Sequence, residues 1–352
     1  MALKNKIKVL VVDDSAVYRT LISSNLMKYD DFEVVGTAVD AFDAQSKIAT
    51  LHPDVLSLDV EMPKMNGIEL VQVILEKQDL PIILVSSASI TVFDALKAGA
   101  VDFVRKPDAK TTSNSNFIEE LATKIRIASV AKIHKHRFSA LTQLQPKAVH
   151  QARSISSLSD AHIDTIIALG ASTGGTEATQ EVLQRLPADI PPMLIVQHMP
   201  PGFTKLYADR LDRVCDVAVK EAVDGDKLTY GQVYIAPGDC QMRLVRSGSG
   251  YIIRCAGTDK VSGHCPSVDV LFDSVSELPI KNKIGVILTG MGKDGADGLL
   301  KMRENGAYTI GESKESCVVY GMPMVAYEIG AVAVQADNKD IAGLIINHLH
   351  KL

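Results

Sequence analysis

The sequence predicts an α/β protein of two domains, each built on a doubly wound parallel sheet. Three observations carry this. The chain has 352 residues, which at about 100–200 residues per domain points to two domains. Short apolar runs alternate with helix-period segments, the mark of a parallel sheet with crossover helices. That alternation stops in a polar, Ser-rich tract and resumes at Asp164.

In the first 108 residues, strands are expected at 7–12, 33–37, 55–58, 82–85 and 102–104. Between them, residues 16–28, 41–51, 67–77 and 92–98 place apolar side chains three and four apart, as amphipathic helices do. A fifth helix is expected from about Asn116 past Ile133. From Leu121 to Ser159 there is no Asp or Glu, and Lys124, Arg126, Lys132, Lys135, Arg137, Lys147 and Arg153 make the stretch basic. Its last part, PKAVHQARSISSLSD, lacks periodicity and reads as an interdomain linker. The basic excess reads as a solvated helix end and tether, or as a docking segment for an acidic partner. The expected division is 1–120, a connection at 121–160, and 161–352.

In the second domain, buried strands are expected at 165–169, 193–197, 284–288 and 308–311, with helices at 177–185, 203–211, 298–304 and 341–350. Residues 233–236, 241–245 and 251–255 read as antiparallel strands inserted between the parallel ones.

Composition narrows the function. The net charge is -5, tryptophan is absent and 5% of residues are aromatic. That is a poor match to nucleic acid, which calls for a basic face and stacking platforms. Apolar runs such as 285–288 are strand-length, far from the about 20 residues that span a bilayer, so no membrane insertion is expected. The N-terminus MALKNKIKVLVVDD lacks the apolar core and cleavage site of a signal peptide. The five cysteines form no CxxC pair, as expected of reduced thiols in cytoplasm. A monomer is expected.

Asp13 and Asp14 follow the first strand and Asp59 ends the third, so all three carboxylates reach the ligand-binding rim of a doubly wound sheet. They would repel one another without a cation, and Mg²⁺ suits such oxygen ligands. Ser86 ends the fourth strand and Lys106 follows the fifth. Carboxylates, metal, hydroxyl and ammonium together can support phosphoryl transfer to Asp59. The bland alternative is that these acids merely end strands and cap helices.

VLVVDDS, LDVEMPKMNG, LVSS and DFVRKP resemble a response-regulator receiver domain over roughly residues 5–108. The resemblance implies a flavodoxin-like five-stranded fold with Asp59 as phosphoacceptor. It implies Mg²⁺ held by Asp13, Asp14, Asp59 and the Glu61 carbonyl, with Ser86 and Lys106 as switch residues. It also implies a histidine kinase as phosphodonor. The segment 87–99 is a few residues short for that family's fourth loop and helix.

Gly170-Ala171-Ser172-Thr173-Gly174 fits G-x-S-x-G, a serine on a tight strand-to-helix turn. Such a turn also serves phosphate binding or close packing, although the Walker lysine of a P-loop is missing. A serine nucleophile needs a base and the base an orienting carboxylate. His198 follows MLIVQ and Asp294 follows GVILT, so each of the three trails a different parallel strand. Gly290-Met291-Gly292-Lys293-Asp294-Gly295, with Glu312 about twenty residues on, also fits a dinucleotide fingerprint. Against that, Asp294 would put a carboxylate where pyrophosphate belongs. His264, Ser267 and Asp269 offer a rival triad, but they crowd one short segment and read as loop structure and a helix start.

IALGASTGGTEA, IVQHMPPGFT, SGHCPSVDVLF and VILTGMGKDGADGL resemble the catalytic domain of the CheB family of chemotaxis protein-glutamate methylesterases, over about residues 163–350. The resemblance implies Ser172 as nucleophile, His198 as base, Asp294 as its orienting carboxylate, and backbone amides near Thr173 and Met291 as oxyanion donors. It implies chemotaxis receptors as substrate, a second activity on receptor glutamines, and no cofactor in the catalytic domain. Cys265 stands where that family usually has arginine. The competing readings are a receiver-controlled NAD(P)-binding protein and a noncatalytic signalling scaffold.

Overall fold

The computed structural model describes residues 6–63, 65–87, 91–107, 114–133 and 163–352. The expected linker tract therefore lies outside the described residues. The chain divides into two compact units, Met1–Leu144 and Gln145–Leu352. No helix among the described residues is long and apolar enough to cross a membrane.

The first unit alternates β1 (Ile7–Val12), α1 (Ala16–Leu26), β2 (Phe32–Ala38), α2 (Ala41–Leu51), β3 (Val55–Asp59), α3 (Gly67–Lys77), β4 (Ile82–Ser86), α4 (Thr91–Lys97), β5 (Asp102–Arg105) and α5 (Asn114–Ala128). The sheet order is β2-β1-β3-β4-β5 and every pairing is parallel. All of β3 and β4 is buried, which is why these strands read as continuous apolar runs rather than alternating ones. Two helix starts follow capping chemistry: the Asp40 side chain accepts from the amides of Phe42 and Asp43, and Asn66 accepts from Glu69. The fifth helix stops at Ala128, short of Ile133. Its end tightens into three-residue turns, and the Ser129 hydroxyl donates to the Arg126 carbonyl, drawing off a helix-end acceptor.

The second unit runs β6 (Thr165–Ala171), α6 (Gly175–Leu183), β7 (Met193–Gln197), α7 (Phe203–Val214), β8 (Ala218–Glu221), β9 (Gln232–Ile235), β10 (Met242–Ser247), β11 (Gly250–Cys255), α8 (Val268–Ser276), β12 (Asn282–Ile287), α9 (Ala296–Glu304), β13 (Tyr308–Glu312), α10 (Met322–Glu328), β14 (Val334–Ala336) and α11 (Asn338–Leu349). Seven strands form one parallel sheet in the order β14-β13-β12-β6-β7-β9-β8. β10 and β11 form a separate antiparallel hairpin that packs on α8.

One expectation needs correction. The strand near 233–236 is not antiparallel: β9 runs parallel to both β7 and β8 inside the main sheet. A four-residue apolar run shows that a strand is present but not the direction of its partner. Among the strands of the described residues, only the β10–β11 pairing is antiparallel.

Each sheet has a switch point, where the chain turns from building one edge to building the other, and ligands sit outside the carboxyl ends there. In the first unit this lies between β1 and β3. In the second it lies between β6 and β12.

Candidate active site

Ser172 leaves the end of β6 at the second switch point. Its amide donates to the Thr289 carbonyl at 3.0 Å, and its carbonyl accepts from Gly175 N at 2.7 Å and Gln197 Nε2 at 2.9 Å. The turn is thus clamped from the far side of β12 and from β7. Gly174 makes it possible: its φ is +78°, and a Cβ there would stand 2.6 Å from Val318. Gly290 matters for another reason. A Cβ on it would stand 2.7 Å from the Ser172 Cβ, so only glycine lets the turn after β12 approach the serine.

His198 follows β7, and its amide donates to Ala171, the residue before the serine, at 3.1 Å. Its side chain is 9% exposed. Nε2 lies 2.7 Å from Asp294 Oδ2. Nδ1 is buried and has no hydrogen-bond partner among the described residues. The structure therefore brings His198 and Asp294 into contact, whereas no bond joins Ser172 to the ring.

Asp294 does not cap the helix after it, which begins at Ala296 with Gly295 as N-cap. Its carboxylate instead accepts from Ser267 Oγ at 2.7 Å and from the amides of Val268 and Asp269 at 2.8 and 3.0 Å. Burial works to raise its pKa, but the bonds from His198, Ser267 and Asp269 hold it below the usual carboxylate range. An ionised carboxylate only accepts, so Nε2 carries the proton and Nδ1 the lone pair.

The rival triad turns out to be the support of this pair. Ser267 and the start of α8 hold Asp294. His264 stacks on His198, with centroids 3.7 Å apart and planes 5° apart. Asp269 accepts from Ser262 Oγ at 2.8 Å and Gly298 N at 2.9 Å. Gln241, just before the hairpin, ties the loop down through Asp259 O, His264 O and Ser267 N. The sequence marked these residues as a crowded segment, but not the ring stack.

The oxyanion candidates flank this site. Thr173 is buried, and its carbonyl accepts from Thr289 Oγ1 at 3.0 Å. Met291 is exposed and follows Gly290, whose carbonyl accepts from Gly321 and Met322.

The dinucleotide fingerprint fails at Glu312. This residue is wholly buried, and its carboxylate accepts from Thr289 N at 2.8 Å and Ser316 Oγ at 2.9 Å. It braces the turn behind Ser172 and offers nothing to a ribose.

In the first unit, Asp13, Asp14 and Asp59 place carboxylate oxygens within 4.8 Å of one another. Lys106 Nζ donates to Asp59 Oδ2 at 2.7 Å, pairs with Asp13 Oδ2 at 2.9 Å, and lies 4.6 Å from the centre of the Tyr18 ring. Burial pushes Asp59 up to about 6 despite the pull of Lys106. Glu61 N donates to Asp59 Oδ1 at 3.1 Å. Ser86 ends β4 as expected, but its hydroxyl donates to the Ser87 carbonyl and not to the carboxylates. Three clustered acids, two of them buried, form a hard-oxygen donor set that fits a small divalent cation.

The family model described as CheB methylesterase matches residues 167–345, and that described as response regulator receiver domain matches residues 9–114. A protein-glutamate methylesterase/protein-glutamine glutaminase of Syntrophomonas wolfei is 48% identical, with 94% of each chain covered. A protein of the same description from Nitrosomonas europaea is 44% identical over 98% of this chain and 97% of its own. The crystal structure of the Thermotoga maritima CheB methylesterase catalytic domain is 40% identical, covers 52% of this chain and 97% of that one, and superposes with a TM-score of 0.51. A histidine hydrogen-bonded to a buried carboxylate beside a strand-end serine, a receiver sheet ahead of it, and relatives alike over nearly the whole length place the chain: it belongs to the CheB methylesterase family, with a response regulator receiver domain ahead of the esterase domain.

Proposed function

We propose that this protein is a phosphorylation-controlled serine esterase that hydrolyses glutamate γ-methyl esters on chemotaxis receptors, and receptor glutamines by the same route. On this reading residues 1–120 are the receiver, 161–352 the esterase, and 121–160 the last helix end and connection. The observation that carries the reading is the His198–Asp294 pair, ionised on the carboxylate side, with Nδ1 unpartnered and the His198 amide bonded to the residue before the serine.

Ser172 Oγ attacks the ester carbonyl carbon while His198 Nδ1 takes its proton, and Asp294 stabilises the resulting imidazolium. The amides of Thr173 and Met291 are the donors assigned to the tetrahedral oxyanion. Collapse expels methanol, which takes the proton back from His198 and leaves an acyl-serine. Water then attacks, giving up a proton to Nδ1, and glutamate departs as Ser172 is restored. With a glutamine the leaving group is ammonia. The serine–histidine bond forms with substrate in place, as catalytic hydrogen bonds often do.

In the receiver, Asp13, Asp14, Asp59 and the Glu61 carbonyl are the residues that would hold Mg²⁺, which neutralises phosphoryl oxygens when bound. Asp59 accepts the phosphoryl group from a histidine kinase. Lys106 already neutralises two buried carboxylates and pairs with the phosphoryl oxygens, and Ser86 supplies a hydroxyl once its bond to Ser87 is given up. On this reading the protein works in the cytoplasm as a monomer.

Methanol release from methylated receptor tests this reading. The wild-type protein should release it, and a folded Ser172→Ala variant should not. Release by both would remove the serine mechanism.

A further inference from the structure

We propose that His264 is a positioning residue of the esterase site, stacked on His198 to hold that ring with Nδ1 toward Ser172. The inference rests on the Ser172–His198–Asp294 reading and extends it.

The bond from Nε2 to Asp294 cannot fix His198 alone. Nε2 lies closer than Nδ1 to the axis of the Cβ–Cγ bond, so a small turn of the ring about that axis strains the Asp294 bond less than it displaces Nδ1. Nδ1 lies further off the axis and is the nitrogen such a turn moves most. A flat neighbour against the ring face resists this motion. His264 is that neighbour, at 3.7 Å and 5°.

His264 is itself held firmly. Its Nδ1 lies 2.9 Å from Ser262 O, whose acceptor role makes the ring nitrogen the donor. Ser262 Oγ donates to Asp269, and the Asp269 amide donates to Asp294. The His264 amide and carbonyl pair with Val261, and Gln241 Nε2 donates to the carbonyl as well. One network therefore sets both the plane of His264 and the carboxylate that receives Nε2.

Burial, and then the neighbouring His198, push the His264 pKa down to about 4. The ring facing the base is thus neutral when His198 takes a proton, and a π face beside an imidazolium is attractive. Chelation is a poorer account of the same atoms. His198, His264 and Asp294 bring ligand atoms within 4.8 Å, but parallel planes aim ring lone pairs side by side rather than at one point.

The test uses the full-length protein and methylated receptor, comparing His264→Ala, His264→Gln and His264→Phe with wild type, and with His198→Ala as control. Misplacing a catalytic group by about 1 Å costs about 100-fold, so Ala and Gln should lower kcat by roughly 10–100-fold. KM should stay within about twofold, because no substrate contact is lost. Phe keeps a flat ring and should restore kcat to within about fivefold of wild type. A second readout is the downfield proton resonance of His198 Nε2–H, identified by its loss in His198→Ala. It should be sharp in wild type and Phe and broadened in Ala and Gln. A folded His264→Ala with wild-type kcat and a sharp line overturns the proposal, as does a folded Phe variant as slow as Ala. Full activity in His198→Ala would instead overturn the underlying site, a separate outcome.

Discussion

His198 Nε2 stands 2.7 Å from Asp294 Oδ2, and the same carboxylate takes three further hydrogen bonds from Ser267 and the start of α8. Four donors converge on one buried side chain. Asp294→Asn turns one acceptor atom into a donor, so at least one of these bonds becomes a clash of donors or the histidine takes the wrong tautomer. The variant should lose about 10⁴-fold in kcat with KM little changed. It should also lose about 1–3 kcal/mol of stability. Steady-state methanol release and chemical denaturation measure the two effects separately.

The pH dependence of stability has a definite sign at His264. Its pKa lies at about 4 in the folded protein against an ordinary 6.5. Between these values the unfolded chain binds more protons, so the stability tied to this ring is present above 6.5 and is lost as pH falls toward 4. Asp59, raised to about 6 by burial, pulls the opposite way over part of this range. The comparison of His264→Phe with wild type removes that term. The variant should gain on wild type as pH is lowered from about 6.5 to about 4 in urea titrations at fixed salt. A constant difference across that range would contradict a half-buried ring that stays neutral in the folded protein.

Glu312 should behave as a brace. Its two oxygens accept from Thr289 N and Ser316 Oγ, and Thr289 O in turn accepts from Ser172 N. Glu312→Gln places a donor against one of these donors and should cost about 1–3 kcal/mol, with a smaller fall in kcat as the Ser172 turn loosens. Calorimetric titration of the wild-type protein with NAD, NADH and their phosphorylated forms should show no binding. Saturable micromolar binding would restore the dinucleotide reading of residues 290–295.

A small phosphodonor such as acetyl phosphate, with Mg²⁺, should raise esterase activity of the wild-type protein. Asp59→Asn should keep basal activity and lose this response completely. Chelating the metal should abolish the response in the wild type. Lys106→Ala leaves the buried Asp13 and Asp59 without their ammonium, so it should lose both the response and receiver stability.

Much of this was readable in the residues because parallel sheets write themselves plainly. Buried strands give continuous apolar runs, and whatever follows them reaches one rim, so Asp59, Ser172, His198 and Asp294 could be placed from position alone. What was not readable came from side chains meeting across loops. His264 stands in a segment with no period, and only the folded loop lays its ring on His198. Ser86 sits at the expected strand end, but a hydroxyl chooses its acceptor among near neighbours, and Ser87 O is one residue away. β9 shows the same limit for backbone: four residues reveal a strand, and direction depends on which edge it joins.

The most direct test of the central claim is a double-substitution cycle on methanol release from methylated receptor, with Ser172→Ala, His198→Ala and the pair. If serine and histidine act as one unit, each single variant loses about 10⁶-fold in kcat and the pair loses scarcely more. Losses that multiply, or a folded Ser172→Ala protein that turns over near the wild-type rate, would contradict it.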